Sequence, residues 1–402
     1  MVSNVVFIFC LVISIFHHGE CIVTDKEYAS LPAIFEQDNF DRCMLFEDEA
    51  LYCSVEFHLK PLDTHKPSLA WQKIQELNSD PNNYHHDNLR HGICVPLTCP
   101  NISTSYKELR FKEDLADCYS KKYEKDGLYG KIGYMHCQTA EGPPFDVYDY
   151  LVAIISVIYI LLIIYASFYE GLARYESKEK YEELTGTTYG KILSCFSITK
   201  NWIRLKTVTW TPELKALKSI QGVRVYSMLL VVICHASMMA GMTAVSNTKY
   251  IENLPQNPMT ILIGSGPYGV EGFFLISSWM LTYNVFKHFD KQSGKKLDMK
   301  TVFNIFIQRY IRLTPPMAVI IILHSTLIYH ASTGPWWDIH VGRDRVSCRQ
   351  NGWTNLLYMN NLINPSRMCM IETWYMAVDM HGFFLVLTIL YFTVKKPNVF
   401  GG

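Results

Sequence analysis

Long apolar runs alternate with polar stretches along this chain, and the alternation predicts its elements. A first run, Val5–Phe16, is too short to span a bilayer and follows no Lys or Arg, yet it suits the core of a secretory signal. A signal peptide is therefore expected over residues 1–21, cut after Cys21 or after Gly19, with an uncleaved apolar anchor as the alternative. Residues 22–146 are polar and cysteine-rich and predict a lumenal domain. Val147–Phe168 is the first run of membrane-crossing length, a transmembrane helix placed over 147–169. The loop that follows, 170–218, holds nine Lys or Arg residues and belongs in the cytosol by the positive-inside tendency. Further spans are expected at about Ile220–Thr243, Met259–Phe286, Pro315–Ala331 and Thr373–Val394. Basic segments around Lys287–Lys300, with Arg309 and Arg312 beyond, and at Lys395 and Lys396 are cytosolic by the same rule. The pattern predicts a mostly α fold, a polytopic transmembrane helix bundle with a small disulfide-stapled N-terminal domain on the lumenal or extracellular side. Such a chain is a multi-pass membrane protein of the secretory pathway, in the endoplasmic reticulum or plasma membrane.

Composition agrees with the split. The 402 residues carry 37 basic and 37 acidic side chains, and 49% hydrophobic content is too apolar for an ordinary soluble enzyme yet too polar for a chain wholly in lipid. The zero net charge and the lack of a basic block with interleaved aromatics argue against nucleic acid as a partner. No internal repeat, low-complexity tract, Gly-rich phosphate loop or dinucleotide fingerprint is present.

Cysteine placement sharpens the lumenal assignment. Cys43, Cys53, Cys94, Cys99, Cys118 and Cys137 all precede the first span, in a region too small for a large core, which predicts three disulfides among fifteen possible pairings. Zinc is the competing use, with His85, His86 and His91 near Cys94 and Cys99, but the paired short spacing of a zinc finger is missing, so no metal site is assigned. The sequon Asn101-Ile102-Ser103 marks Asn101 for glycosylation in the same region. Cys348 and Cys369 share the next predicted lumenal loop, where a bridge would contribute about 3 kcal/mol. Cys195 and Cys234 fall in the cytosol and the membrane and are expected to be free thiols.

The run Ser219–Ala236 carries two ionisable groups, Arg224 and His235, where such groups are costly and usually functional. Eleven residues apart, they lie within about 20° of one helix face and about 16 Å apart along it.

Taken in order, KSIQGVRVYSMLLVVICHA, GPYGVEGFFLISSWMLTYNVFK and FIQRYIRLTPPMAVIIIL resemble the opening helices of the membrane-bound acyltransferase 3 family. FDRC, Tyr52-Cys53, GICVPLTCP and TWYMAVDMH resemble segments of its nose-resistant-to-fluoxetine subfamily, whose N-terminal domain precedes an acyltransferase 3 region. The resemblance implies that His235 and Arg224, in register with Gly222, are catalytic. They would move an acyl group from a cytosolic donor, acyl-CoA, to a lumenal or extracellular acceptor or lipid, with no bound cofactor. His235 would act as general base, and Arg309 and Arg312 would contact the anionic donor, their bland alternative being snorkelling at a helix entrance. Glu271 and Asp379 are expected in supporting roles, Glu271 paired with His235 or Arg224, and His381 beside Asp379 on the acceptor route. His324 reads as a packing histidine. Two departures stand out. Ser277-Ser278-Trp279 replaces a Ser-Gly-Phe-like step, and residues 219–402 supply about four of the family's roughly ten helices, a partial acyltransferase 3 membrane domain. The expected activity is acyl transfer of groups other than amino-acyl groups. The alternatives are transport or binding of a lipid or small hydrophobic molecule, or a catalytically inactive truncated membrane protein.

Overall fold

The structure is a computed structural model that describes residues 23–102, 110–208, 212–257, 260, 264–291 and 298–395. The expected signal peptide lies outside the described residues, as does Ser103 of the Asn101 sequon. The chain forms two compact units, one of residues 1–142 with 239–261, the other of 143–238 with 262–402.

The first unit is built on a four-stranded sheet of order β1-β3-β2-β4, from β1 (Phe35–Gln37), β2 (Tyr52–Pro61), β3 (Asn88–Cys94) and β4 (Leu128–Gln138). β1 runs parallel to β3, and the two other pairings are antiparallel. Helices α1 (Asp25–Ser30), α2 (Phe40–Met44), α3 (Leu69–Asn78) and α4 (Phe111–Ser120) complete it. Thr24 and Glu27 close α1 with a capping box, and Ser68 caps α3, so two orphan N–H ends are satisfied locally. The six cysteines pair as Cys43–Cys94, Cys53–Cys137 and Cys99–Cys118. Cys53 and Cys137 face each other between β2 and the edge strand β4. Small as it is, the region has a core of its own. Phe57, Ile74, Leu89, Ile93, Leu115 and Leu128 are sealed between the sheet and the helices. His91 is buried with them: its Nε2 donates to the Ala33 carbonyl (2.7 Å), which leaves Nδ1 to accept from Tyr119 (2.6 Å). Burial holds the His91 pKa below the usual histidine value. With Cys94 and Cys99 in disulfides and His91 so occupied, the zinc alternative has lost its ligands.

A short helix of the same unit, Thr248–Asn253, comes from the connection after the second expected span. Its Glu252 is buried and accepts from the Tyr28 hydroxyl (2.8 Å), the Tyr84 N–H (3.1 Å) and His86 Nε2 (2.9 Å), while Lys249 pairs with Asp25.

The second unit is helical. α5 (Val147–Glu176) is followed by α6 (Lys178–Gly186), α7 (Thr188–Ser194) and α8 (Ile198–Lys206), so the expected 170–218 loop is mostly helix. Then come α9 (Lys218–Met242), α10 (Gly266–Lys291), α11 (Met299–His324), α12 (Arg343–Leu356) and α13 (Trp374–Lys395). Four helices are long and apolar enough to cross a membrane, Val147–Glu176, Lys218–Gly241, Met299–His324 and Ile371–Val394. The expected third span is a 26-residue helix, α10, but among the described residues it is not one of these four. The expected fourth span is also corrected, because α11 begins at Met299 and carries Pro315 and Pro316 inside it. Proline breaks helices in water, but within a membrane neighbouring groups can satisfy the freed carbonyls, so the pair does not mark a start.

α9 and α10 pack where side chains are small. A Cβ on Gly266 would sit 2.4 Å from Cys234, and one on Gly269 would sit 3.2 Å from the Ser227 carbonyl. Between α11 and α13, residues 325–373 fold back under the Cys348–Cys369 bridge, and Met317, Ile321, Tyr358 and Met380 form a core around it. Asn355 donates to the Cys369 carbonyl (3.0 Å) and the Thr373 hydroxyl (2.7 Å), fixing the entry to α13. Cys195 and Cys234 are free.

Candidate functional site

Four helices of the second unit line an open cavity of about 1010 Å³. α10 contributes Phe273, Ser277, Met280, Leu281, Asn284 and Val285, spaced three and four apart, which is one helical stripe. α11 gives Thr301, Asn304, Gln308, Arg309 and Arg312, α13 gives Tyr375, Asp379 and Phe383, and α9 gives Arg224. Three arginines and one aspartate leave the wall with a net charge of +2, next to the apolar Leu281, Val285 and Phe383.

The cations differ in what they touch. Arg309 Nη2 donates to Asp379 and, at 3.0 Å, to the Ser277 hydroxyl, and its guanidinium lies 4.2 Å from the centre of the Phe383 ring. Asp379 is buried, so this pair is neutralised within the wall. The Arg309 Nε is buried and has no partner among the described residues. Arg224 and Arg312 line the same cavity without an ion pair among the described residues. Since α11 starts at Met299, Arg309 lies about 15 Å inside the helix.

The other sequence-predicted residues stand apart. His235 is half-buried, and its Nδ1 donates to the Val231 carbonyl at 2.8 Å, so in the neutral ring Nε2 carries the lone pair. It shares the Arg224 face of α9 but is not among the cavity-lining residues. Glu271 is exposed and makes no ion pair among the described residues, so the expected contact with His235 or Arg224 is not formed. It lies about 120° round α10 from the centre of the cavity stripe and is not among the cavity-lining residues. His381 is exposed and lies about 200° round α13 from Asp379. His324 is half-buried at the end of α11, with its Nδ1 sealed and without a partner among the described residues. Asn101 is exposed.

Residues 217–400, which supply all the helices of this cavity, match the acyltransferase domain of the acyltransferase 3 family. That match covers 184 of the 402 residues. The chain is similar to nose resistant to fluoxetine protein 6 of Caenorhabditis elegans, 25% identical over 333 residues that make up 76% of this chain and 38% of the relative. It thus spans less than half the length of that curated relative. No solved structure matches.

Around the acyltransferase domain lie two buried charge clusters that sequence reasoning missed. Asp146 and Asp149 form a capping box at the start of α5. Asp149, fully buried, takes Arg345 (2.6 Å), Arg349 (3.1 Å) and His330 (3.2 Å), while Asp146 also pairs with Arg349. The Arg349 hydrogen bond, ahead of the local N–H groups, holds the Asp146 pKa well below the carboxylate range. This cluster fastens the 325–373 excursion to α5. Near the other end of α5, buried Glu170 accepts from Arg174 and from the Ser197 hydroxyl at 3.1 Å. The D-x-x-D spacing ahead of an apolar run was the visible signal for the first. Nothing local announces the second.

Proposed function

We propose that this domain transfers an acyl group from an acyl-CoA-type donor on the cytosolic side to a hydroxyl-bearing acceptor on the lumenal or extracellular side of a secretory-pathway membrane. The observation that carries the reading is the division of labour along α9. Two cations without ion pairs, Arg224 and Arg312, face one cavity, and a histidine with an available Nε2 lies on the Arg224 face about 16 Å away. Unpaired cations in such a wall favour an anionic occupant, and a guanidinium fork suits phosphate. The separation suits a donor whose phosphates and reactive carbonyl are joined by a long arm, as in a coenzyme A thioester. In the step, the acceptor oxygen attacks the thioester carbonyl and gives its proton to His235 Nε2. The C–O bond forms, the C–S bond breaks, and the thiolate leaves and takes up that proton. Transfer of labelled acyl groups by membranes holding the chain, with and without His235→Ala, tests it. A large loss, on the order of a hundredfold, is expected, and unchanged transfer overturns the assignment of the base.

The absence of His235 from the cavity wall favours a second reading, binding or transport of a lipid or small hydrophobic molecule without chemistry. Uptake of a fluorescent lipid that survives His235→Ala but fails in Arg224→Ala supports it over catalysis.

A further inference from the structure

We propose that α8, Ile198–Lys206, is an interfacial helix that lies in the headgroup layer of the membrane spanned by α5 and takes anionic lipid headgroups on its basic flank. The first support is where it is attached. The Ile198 N–H donates to Ser167 Oγ at 3.0 Å, and Ser197, its N-cap, donates to Glu170 at 3.1 Å. Ser167 is twenty residues after Val147, which at 1.5 Å per residue is about 30 Å, the thickness of a hydrocarbon core. The docking point therefore falls where the apolar length of α5 runs out. Phe196, just ahead of the helix, meets Tyr159 two turns deeper into that apolar stretch (ring centres 6.1 Å apart).

The second support is the helix surface. Ile198, Trp202 and Leu205 fall within about 60° of one another, and they are 61%, 60% and 75% exposed. Ile198 lines one apolar groove with Ile164, Phe168 and Leu172 of α5, so the stripe continues a surface that already faces lipid. Lys200 and Arg204 lie on the opposite side, Lys206 lies on the flank, and the helix contains no Asp or Glu. Apolar residues with a tryptophan on one face and cations on the other suit an anionic bilayer surface, with the apolar face sunk toward the acyl boundary. Lys200 is partly engaged, 2.5 Å from the Ser194 hydroxyl, so Arg204 and Lys206 are the cations available to headgroups.

The test uses the full chain in vesicles of phosphatidylcholine with phosphatidylserine, in a background with Cys10, Cys21, Cys195 and Cys234 all replaced by Ser. Spin labels are placed at Leu205→Cys or Arg204→Cys, both of which are exposed. At 205 the label should collide with oxygen far more than with a water-soluble nickel chelate, and at 204 the order should reverse. Nickel access at both positions overturns the proposal, and so does poor access of both agents at 205, which signals a protein partner instead. Spin-labelled phosphatidylserine should be enriched over phosphatidylcholine at the protein boundary. Arg204→Gln with Lys206→Gln should reduce that enrichment, by up to about fivefold per charge. Unchanged enrichment overturns the headgroup assignment.

Discussion

In the N-terminal unit the side chains that water rejects are inside. Phe57, Leu89 and Leu128 are sealed, and three disulfides tie the strands and helices. In the membrane unit apolar side chains also cover the outside. Val147, Ile154, Ile158 and Leu161 of α5 are exposed, while Asp149, Glu170, Thr354 and Asn355 are buried and hydrogen-bonded. The difference teaches what specifies each unit. The first is held by burial and crosslinks. The second, with lipid as solvent, gains little from apolar contact between helices and is specified by buried polar locks.

The largest expected effect falls on the crosslinks. Cys53→Ser opens a bridge whose cysteines are 84 residues apart, a loss of about 4 to 5 kcal/mol by loop entropy, and the N-terminal unit should become protease-sensitive. Cys348→Ser, with a separation of 21, should cost about 3 kcal/mol, and because polar locks remain, the membrane unit should keep its fold. Equal collapse of both units would break the comparison.

Next comes the lock itself. Asp149→Asn leaves the buried Arg345 and its neighbour Arg349 short of a carboxylate and should cost about 3 kcal/mol, read as thermal unfolding in detergent. A change near zero would mean that the membrane unit is specified by something else. Asp379→Asn should have two effects of opposite sign. Stability falls, and Arg309 becomes a third uncompensated cation in the cavity, so the affinity for an anionic ligand rises about five- to tenfold, on the order of 1 kcal/mol.

The last prediction concerns pH. Burial lowers the folded-state pKa of His91, so as pH falls the unfolded chain takes up the proton first. Stability is full above the unfolded histidine value of about 6.5 and is lost as pH drops from there toward the folded value. Amide exchange in β3 should therefore quicken in mild acid, and His91→Gln should flatten that dependence. A pH profile identical in the two proteins sinks this role for His91.

Much of this was visible in the chain. Apolar run length located α5, α9 and α13 to within a few residues at their starts, because a membrane demands one long run per crossing. The same rule misplaced α11, whose first half carries Arg309, Arg312 and Gln308 toward a cavity rather than lipid and so lacks an apolar signal. The cysteine count announced a stapled domain but not its sheet, since β2 and β4 are far apart in sequence and strand pairing is a tertiary choice. For the site, the Arg224/His235 stripe followed from helix period alone. That Asp379 neutralises Arg309, leaving Arg224 and Arg312 for an occupant, did not, because it depends on α11 and α13 coming together across 70 residues.

The most direct test of that division is binding of a non-hydrolysable acyl-CoA thioether to the chain in nanodiscs, measured for the unaltered protein and for Arg224→Ala and Arg312→Ala. Each substitution should weaken binding about tenfold, the loss of one charge-assisted contact, with thermal stability unchanged. Unaltered affinity in both variants would contradict the account.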